Sequence, residues 1–256
     1  MAHTHKKRSI IIVIAIIMVA LICSVLILEL SFWDVFLAIP EVISFFVSRF
    51  LPPDFSNLAF YMPVIMDTVY FAITATSIST VFSFILAALM SERINPNQAL
   101  RVITQGFTSF LRNIPVVVWT AVLVYIFGIG SLVGLIALVL MSIGFLSKNY
   151  AETIDEIAME SYDALEANGA SRFQIVYHGI FPQFFPAWVS WTLYSFELNI
   201  RASAILGIVG AGGIGIQIQT AISIMRYKEA MGMIIIVLVI VLLTECGTKR
   251  IIKMIQ

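Results

Sequence analysis

Apolar residues in this chain fall into long blocks with few charges inside them. Ile10 to Leu28 is uncharged and follows Lys6-Lys7-Arg8. Pro63 to Met90 carries one acid, Asp67, near its start, and no charge separates Arg112 from Lys148. Pro182–Leu206 and Ala230–Thr248 complete the set. The hydrocarbon core of a bilayer is about 30 Å thick, so about 20 apolar helical residues cross it. Blocks of this length predict membrane-spanning helices. A secretory signal competes for the first block, with Leu21-Ile22-Cys23 as a cleavage motif. Signal cores are shorter, about 7–15 residues, and Ile22 is bulky for a cleavage position, so an anchored helix is expected.

Ser31 to Met62 has a different pattern. It carries Asp34, Glu41, Arg49 and Asp54, is expected to be broken at Pro40 and Pro52-Pro53, and is rich in Phe, with Trp33. Aromatic residues concentrate at membrane–water boundaries, which predicts an interfacial segment on the outer side. The expected organisation is a spanning anchor with this external segment over 1–62, then a core over 63–256. In the span from Pro63, Ala75, Ser79, Ser83 and Ala87 recur every fourth position, making a face on which another helix can approach closely.

The stretch from Arg112 to Lys148 reads either as one long tilted helix or as two short ones folded at Gly128-Ile129-Gly130. Two spans put Lys6, Lys7, Arg8, Arg93, Arg101, Arg112, Lys148, Arg172, Lys249, Arg250 and Lys253 on one side and leave Arg49, Arg201, Arg226 and Lys228 on the other. One span divides the positive residues more evenly. Cytoplasmic loops carry the excess of Lys and Arg, so two spans are favoured, giving about six in all with both termini cytoplasmic.

Composition agrees. Hydrophobic residues make up 60% of 256 positions and charged residues 12%, roughly half the charged share of an ordinary soluble domain. Formal net charge is +0, which leaves no basic footprint for nucleic acid. The two cysteines, Cys23 and Cys246, lie in apolar runs without metal-ligand spacing. His3, His5 and His178 all fall outside the membrane, and no nucleophile–base cluster is visible.

Between Lys148 and Pro182 the chain emerges on the cytoplasmic side. Glu152, Asp155, Glu156, Glu160, Asp163 and Glu166 stud a helical stretch that Asn168-Gly169 is expected to stop, since both residues tolerate left-handed backbone. Ser171 and Gln174 form a capping-box pattern, predicting a second short helix that Gly179 and Pro182 end. A capped helix pair between two spans suits a docking surface better than a plain solvated loop.

Asp163-Ala164-Leu165, Gly169-Ala170-Ser171-Arg172 and Phe181-Pro182 resemble the coupling-loop signature of ABC importer permeases, with the Gly and Pro spacing kept. Asp163, Leu165 and Phe181 depart from it conservatively. The resemblance implies a coupling contact with a separate ATPase, made by Ala164, Gly169, Ala170 and the surrounding turn.

Farther along, Glu197, Asn199 and Arg201 lie deep in an apolar span, where a charge costs about 2.5–3.5 kcal/mol on insertion scales. Glu197 and Arg201 share a helical face and can neutralise each other. A structural ion pair and a solute-path or gating role both stay open. Gly207, Gly210, Gly212, Gly213 and Gly215 follow, too many glycines for a stable helix interior. No Gly-Lys-Ser/Thr accompanies them, which excludes a P-loop. A broken segment near the outer mouth is expected, with helix-packing glycines as the other reading.

The run from Asn199-Ile200-Arg201-Ala202-Ser203-Ala204 through Gly215, together with Arg112-Asn113-Ile114-Pro115, resembles phosphonate ABC-transporter permeases. That resemblance implies an all-α, type I importer subunit in a bacterial cytoplasmic membrane that imports phosphonate, phosphite or phosphate. Its partners would be a second copy, two cytoplasmic ATPases that hold ATP and Mg, and an extracytoplasmic solute-binding protein. The chain itself would bind no cofactor and catalyse nothing. The implied path or gate residues are Glu197, Asn199, Arg201, Ser203 and the five glycines. Competing readings are a methionine-type permease, a scaffold, and an ion-coupled carrier using Asp67, Glu197, Arg201 and Glu245.

Overall fold

The computed structural model describes residues 2–27 and 31–255, with side chains undescribed at a few of these, among them Asp163 and Ala164. The described residues are mostly helical, with no strand among them. By backbone contacts the chain divides into two compact units, Met1–Leu51 and Pro52–Gln256.

The first unit holds α1 (Ala2–Ile27) and α2 (Phe32–Phe50). The apolar part of α1 has none of its side chains buried, as a lipid-facing anchor requires. In α2, Ser31 caps the start by accepting the Asp34 N–H at 3.2 Å. Contrary to the break expected at Pro40, α2 runs through that residue.

The second unit contains α3 (Leu58–Met90), α4 (Gln98–Asn113), α5 (Val116–Phe127) and α6 (Ser131–Ala167). It continues with a short turn α7 (Arg172–Gln174), then α8 (Phe181–Ile208), α9 (Ile214–Ser223) and α10 (Tyr227–Ile255). α3 starts before Pro63 and runs through it, although the proline there removes the bond an N–H would have made to the Ala59 carbonyl. The Ser56 hydroxyl and N–H hold the Asp54 carboxyl below the usual carboxylate range. Next to it, Asn57 Nδ2 and the Tyr61 hydroxyl each donate to buried Glu229 at 2.7 Å, tying the start of α3 to that of α10.

The four small residues expected on one face of α3 are all fully buried. They meet α6: Ser79 Oγ donates to the Val139 carbonyl at 3.2 Å and Ser83 Oγ to that of Ile143 at 3.3 Å. Farther along, the Ser91 hydroxyl donates to Asp155. Positions rise together along both helices, so α3 and α6 run parallel and the chain must return across the membrane between them. That return is α4–α5, which bends by 88°. Pro115 forces the bend, because proline disfavours helical backbone in the residue before it. The break at Gly128–Gly130 then separates α5 from α6, with Gly128 at φ 82°. The two-span reading of 112–148 therefore holds.

Among the described residues, four helices are long and apolar enough to cross a membrane: Ile10–Ile27, Leu58–Met90, Ser131–Met159 and Tyr227–Ile255. The bent α4–α5 pair is a fifth if counted as one span. α8 is long enough, about 42 Å at 1.5 Å per residue, but the polar groups it turns into the bundle keep it out of that set. It runs antiparallel to α6, since Ser142 pairs with Asn199 and Tyr150 with Thr192.

A second expectation is overturned. Gly179 and Pro182 do not end a short helix. The chain passes from α7 through a π-helical turn (Ile175–Ile180) directly into α8. The Phe181 N–H bonds to the Val176 carbonyl in this wider turn. The widened turn absorbs the disturbance that Pro182 brings to an α-helix.

Gly207 and Gly215 set the closest helix crossing. A Cβ on Gly207 would lie 2.5 Å from Gly215 Cα and 2.6 Å from the Gly212 carbonyl oxygen. Gly207→Ala is expected to destabilise the fold by about 1–3 kcal/mol through overpacking. The check is thermal melting in detergent, with Gly247→Ala, where a Cβ meets nothing within 4 Å, as control.

Candidate functional site: a capped hairpin and a charged helix seam

α6 is 37 residues long, about 56 Å at 1.5 Å per residue, so it outlasts its own membrane crossing. Its end is a paired cap: the Gly169 N–H bonds to the Glu166 carbonyl at 2.9 Å and the Ala170 N–H to that of Leu165 at 3.2 Å. This is the Schellman arrangement, which needs left-handed backbone at Gly169, found at φ 82°. The capping box follows, with the Ser171 N–H donating to Gln174 Oε1 at 2.8 Å and the Gln174 N–H to Ser171 Oγ at 3.4 Å. Stop and start in immediate succession fold the chain back along α6.

The hairpin closes on its own core. Leu165 abuts Gly179, whose Cβ would stand 2.6 Å from Leu165 Cδ1. Ala170 packs against the same cluster as Tyr150, Ile154, Ala158, Tyr162, Ile175 and Phe184. Of the coupling residues named above, Gly169, Ser171 and Arg172 are exposed at the turn, whereas Leu165 and Ala170 are half-buried beneath it. Phe181 and Pro182 lie nearer the membrane, with Phe181 edge-on to Phe84. Asp163 and Ala164 fall among the residues whose side chains are not described.

Two further residues stand out. Phe173 and Tyr177 are 76% and 58% exposed and stack in parallel at 6.0 Å. They form an exposed, stacked aromatic pair beside the turn. Their i,i+4 spacing in a short polar helix was the signal available in the sequence.

In the membrane, Glu197 and Arg201 form the expected pair. Glu245 of α10 adds a second carboxylate 3.9 Å from Arg201, and Lys249 pairs with Glu245. The four make an alternating ladder across the α8–α10 seam. Glu197 is buried, while Arg201 is about half-exposed. Asn199 points elsewhere. Fully buried, it accepts from Ser142 Oγ at 2.9 Å and donates to Thr76 Oγ1 at 2.9 Å. Ser203 is also buried, bonding the Ile200 and Thr68 carbonyls.

The glycine run serves both readings offered for it. Gly210, Gly212 and Gly213 take positive φ and turn the chain between α8 and α9. Gly207 and Gly215 are the packing contact. The Gly130 N–H bonds to the Gly210 carbonyl at 3.1 Å, joining this turn to the α5–α6 break. Among the described residues no cluster of His, Cys, Asp and Glu could hold a metal.

Residues 79–251 match the family described as binding-protein-dependent transport system inner membrane component. The phosphite transport system permease protein PtxC of Stutzerimonas stutzeri is 31% identical over 195 residues, 76% of this chain and 71% of that protein. The phosphate-import permease protein PhnE of Mycolicibacterium smegmatis is 30% identical over 188 residues, with 35% of its length covered. Among solved structures, the MetNI methionine ABC transporter in inward facing conformations aligns with TM-score 0.66 at 20% identity, over 77% of this chain and 96% of that one. At that identity the likeness concerns the fold.

The ladder yields a double-mutant test. Arg201→Ala leaves buried Glu197 without its nearest cation, so its melting temperature is expected to fall below that of Glu197→Ala/Arg201→Ala. Equal losses, measured on purified protein, would show that the pair is not coupled.

Proposed function

The chain belongs to the binding-protein-dependent transport system inner membrane components, and from that premise we propose that it is the permease of an importer for phosphonate or a related phosphorus oxyanion. It is a multi-pass protein of the bacterial inner membrane. The single observation behind the mechanism is the capped hairpin at the end of α6, with Phe173 and Tyr177 standing out from its turn. In this reading the aromatic pair and the Gly169–Arg172 turn enter a cleft on a separate ATPase, which holds ATP and Mg and hydrolyses the nucleotide. A solute-binding protein delivers cargo on the opposite side.

The remaining assignments belong to the same proposal. The Glu197–Arg201–Glu245–Lys249 ladder is a gate seam: its charges are balanced when α8 and α10 are together and exposed when they part. The glycine turn between α8 and α9 is the flexible element at the outer end. Asn199 and Ser203 keep the path helices in register. A second permease copy supplies the other wall. The substrate class follows the relatives, named for phosphite and phosphate transport. The balanced ladder is a poorer fit to an ion-coupled carrier, which needs a carboxylate free to load and release its ion.

The test is uptake into vesicles that hold this chain, its ATPase and its binding protein, with methylphosphonate, phosphite, phosphate and methionine offered separately. ATP-dependent uptake of a phosphorus oxyanion supports the proposal. Uptake of methionine alone replaces the substrate, and uptake without ATP removes the coupling. Phe173→Ala/Tyr177→Ala is expected to lower ATPase association more than about tenfold, as the loss of an aromatic anchor pair does. Co-purification measures it, and wild-type association would relocate the contact.

A further inference from the structure

At the end of the bundle opposite the hairpin, Glu229 of α10 is a buried carboxylate that the gate seam does not use. The Asn57 amide and the Tyr61 hydroxyl both donate to its Oε1, and Arg226 stands 3.6 Å from Oε2. A carboxylate taken out of water needs such partners. The backbone is fastened at the same place. The Asp54 N–H donates to the Lys228 carbonyl at 2.9 Å, and Gly232 lets the Asp54 carbonyl rest on α10, since a Cβ there would stand 2.3 Å from that oxygen. Ile65 of α3, Ile214 and Ala221 of α9, and Ala230 and Met233 of α10 form one buried cluster. The last turns of α8 join this block through α3 and α9. Ser203 Oγ donates to the Thr68 carbonyl at 3.4 Å, the Ile214 N–H donates to Thr68 Oγ1 at 3.2 Å, and Gly207 meets Gly215.

The charged ladder lies far from this block. α10 is one helix from Tyr227 to Ile255. Glu245 and Lys249 follow Glu229 by 16 and 20 positions, about 24 and 30 Å at 1.5 Å per residue. The two ends of α10 also differ in what separation would leave behind. The ladder consists of one i,i+4 pair on each helix, Glu197–Arg201 on α8 and Glu245–Lys249 on α10, with a 3.9 Å contact between them. When α8 and α10 part there, each helix keeps a neutral pair of its own. Parting α3 from α10 at Glu229 instead takes the Asn57 and Tyr61 donors from a buried carboxylate, a strongly destabilising loss.

We propose that the Glu229 clamp is the pivot of the gate: α10 stays fixed to α3 and α9 at this end and swings as a lever, so that the α8–α10 seam opens at the ladder. This rests on the gate-seam reading above and adds where the motion is anchored. Asn57, Tyr61 and Arg226 are positioning residues, which act through Glu229 on the attitude of α10. Closure and opening about a few positions at the ends of elements is a common form of conformational change. Here the fixed point is the start of α10, and a small tilt there is enlarged along the helix toward Glu245 and Lys249.

The test is spin-label distances in the complete transporter, with Cys23 and Cys246 replaced by serine, before and after ATP binding. Three pairs of exposed positions are labelled: Phe60 with Ile224 beside the clamp, Ile205 with Leu242 midway along the seam, and Tyr194 with Ile251 at its far end. The Phe60–Ile224 distance is expected to stay unchanged while both seam distances shift. Ile251 and Leu242 lie 22 and 13 positions beyond Glu229, so a lever of constant rise per residue moves the far pair about 1.7 times as much as the middle one. Glu229→Ala, labelled in the same way, is expected to broaden the Phe60–Ile224 distribution and to bring the two seam shifts toward equality. A Phe60–Ile224 shift as large as those of the seam, or equal seam shifts with the clamp intact, would overturn the pivot and leave the gate seam standing. So would a Glu229→Ala transporter that keeps the quiet clamp pair and the graded shifts. If Glu229→Ala does not assemble, the three distances with the clamp intact decide alone. No shift in either seam pair would overturn the gate seam and the pivot together.

Discussion

One buried amide joins the three helices on which the second unit is assembled. Asn199 of α8 bonds Ser142 of α6 and Thr76 of α3, all inside an apolar bundle. Lipid gives helices no hydrophobic reason to associate, so close packing and interhelical hydrogen bonds must do it. Here both act together. The α3 stripe of small residues brings α3 against α6, and α8 closes on the pair through Asn199. Everything functional hangs from those three helices: the hairpin is the far end of α6 and the beginning of α8, and the charged ladder lies on the outward side of α8.

That arrangement links events outside the membrane to events within it. The hairpin is not hung on a flexible tether, since both its strands of chain continue as helices into the bundle. Leu165 against Gly179, Tyr150 against Thr192 and Trp191 against Thr153 fasten α6 to the α7–α8 segment along its length. A displacement applied at Phe173 and Tyr177 would therefore travel as a rigid-body motion of α6 and α8. The α8–α10 seam nearby carries the charge ladder, and in the proposed mechanism it is the seam that opens.

Much of this was legible in the chain because it is written locally. Span lengths, the stripe at Ala75, Ser79, Ser83 and Ala87, the Gly169 stop and the Ser171–Gln174 box each depend on residues within a few positions of one another. What stayed hidden depends on distant partners. Gly179 and Pro182 read as a helix end, yet packing of the π-helical turn on α6 carries the chain through them. Asn199 read as a path residue because its acceptors and donors come from two other helices. Arg201 drew attention as an intramembrane cation, but Glu245, on another helix, helps offset its charge.

The central claim is that the hairpin and α8 move as one body while the α8–α10 seam opens. Spin labels at Ala167, exposed at the end of α6, and Ile205, exposed on α8, would measure the first distance, and labels at Ile205 and Leu242, exposed on α8 and α10, the second. In the complete transporter, ATP binding is expected to leave the Ala167–Ile205 distribution unchanged and to shift that of Ile205–Leu242. A shift confined to Ala167–Ile205 would mean that the hairpin bends independently of the bundle, and would contradict the account.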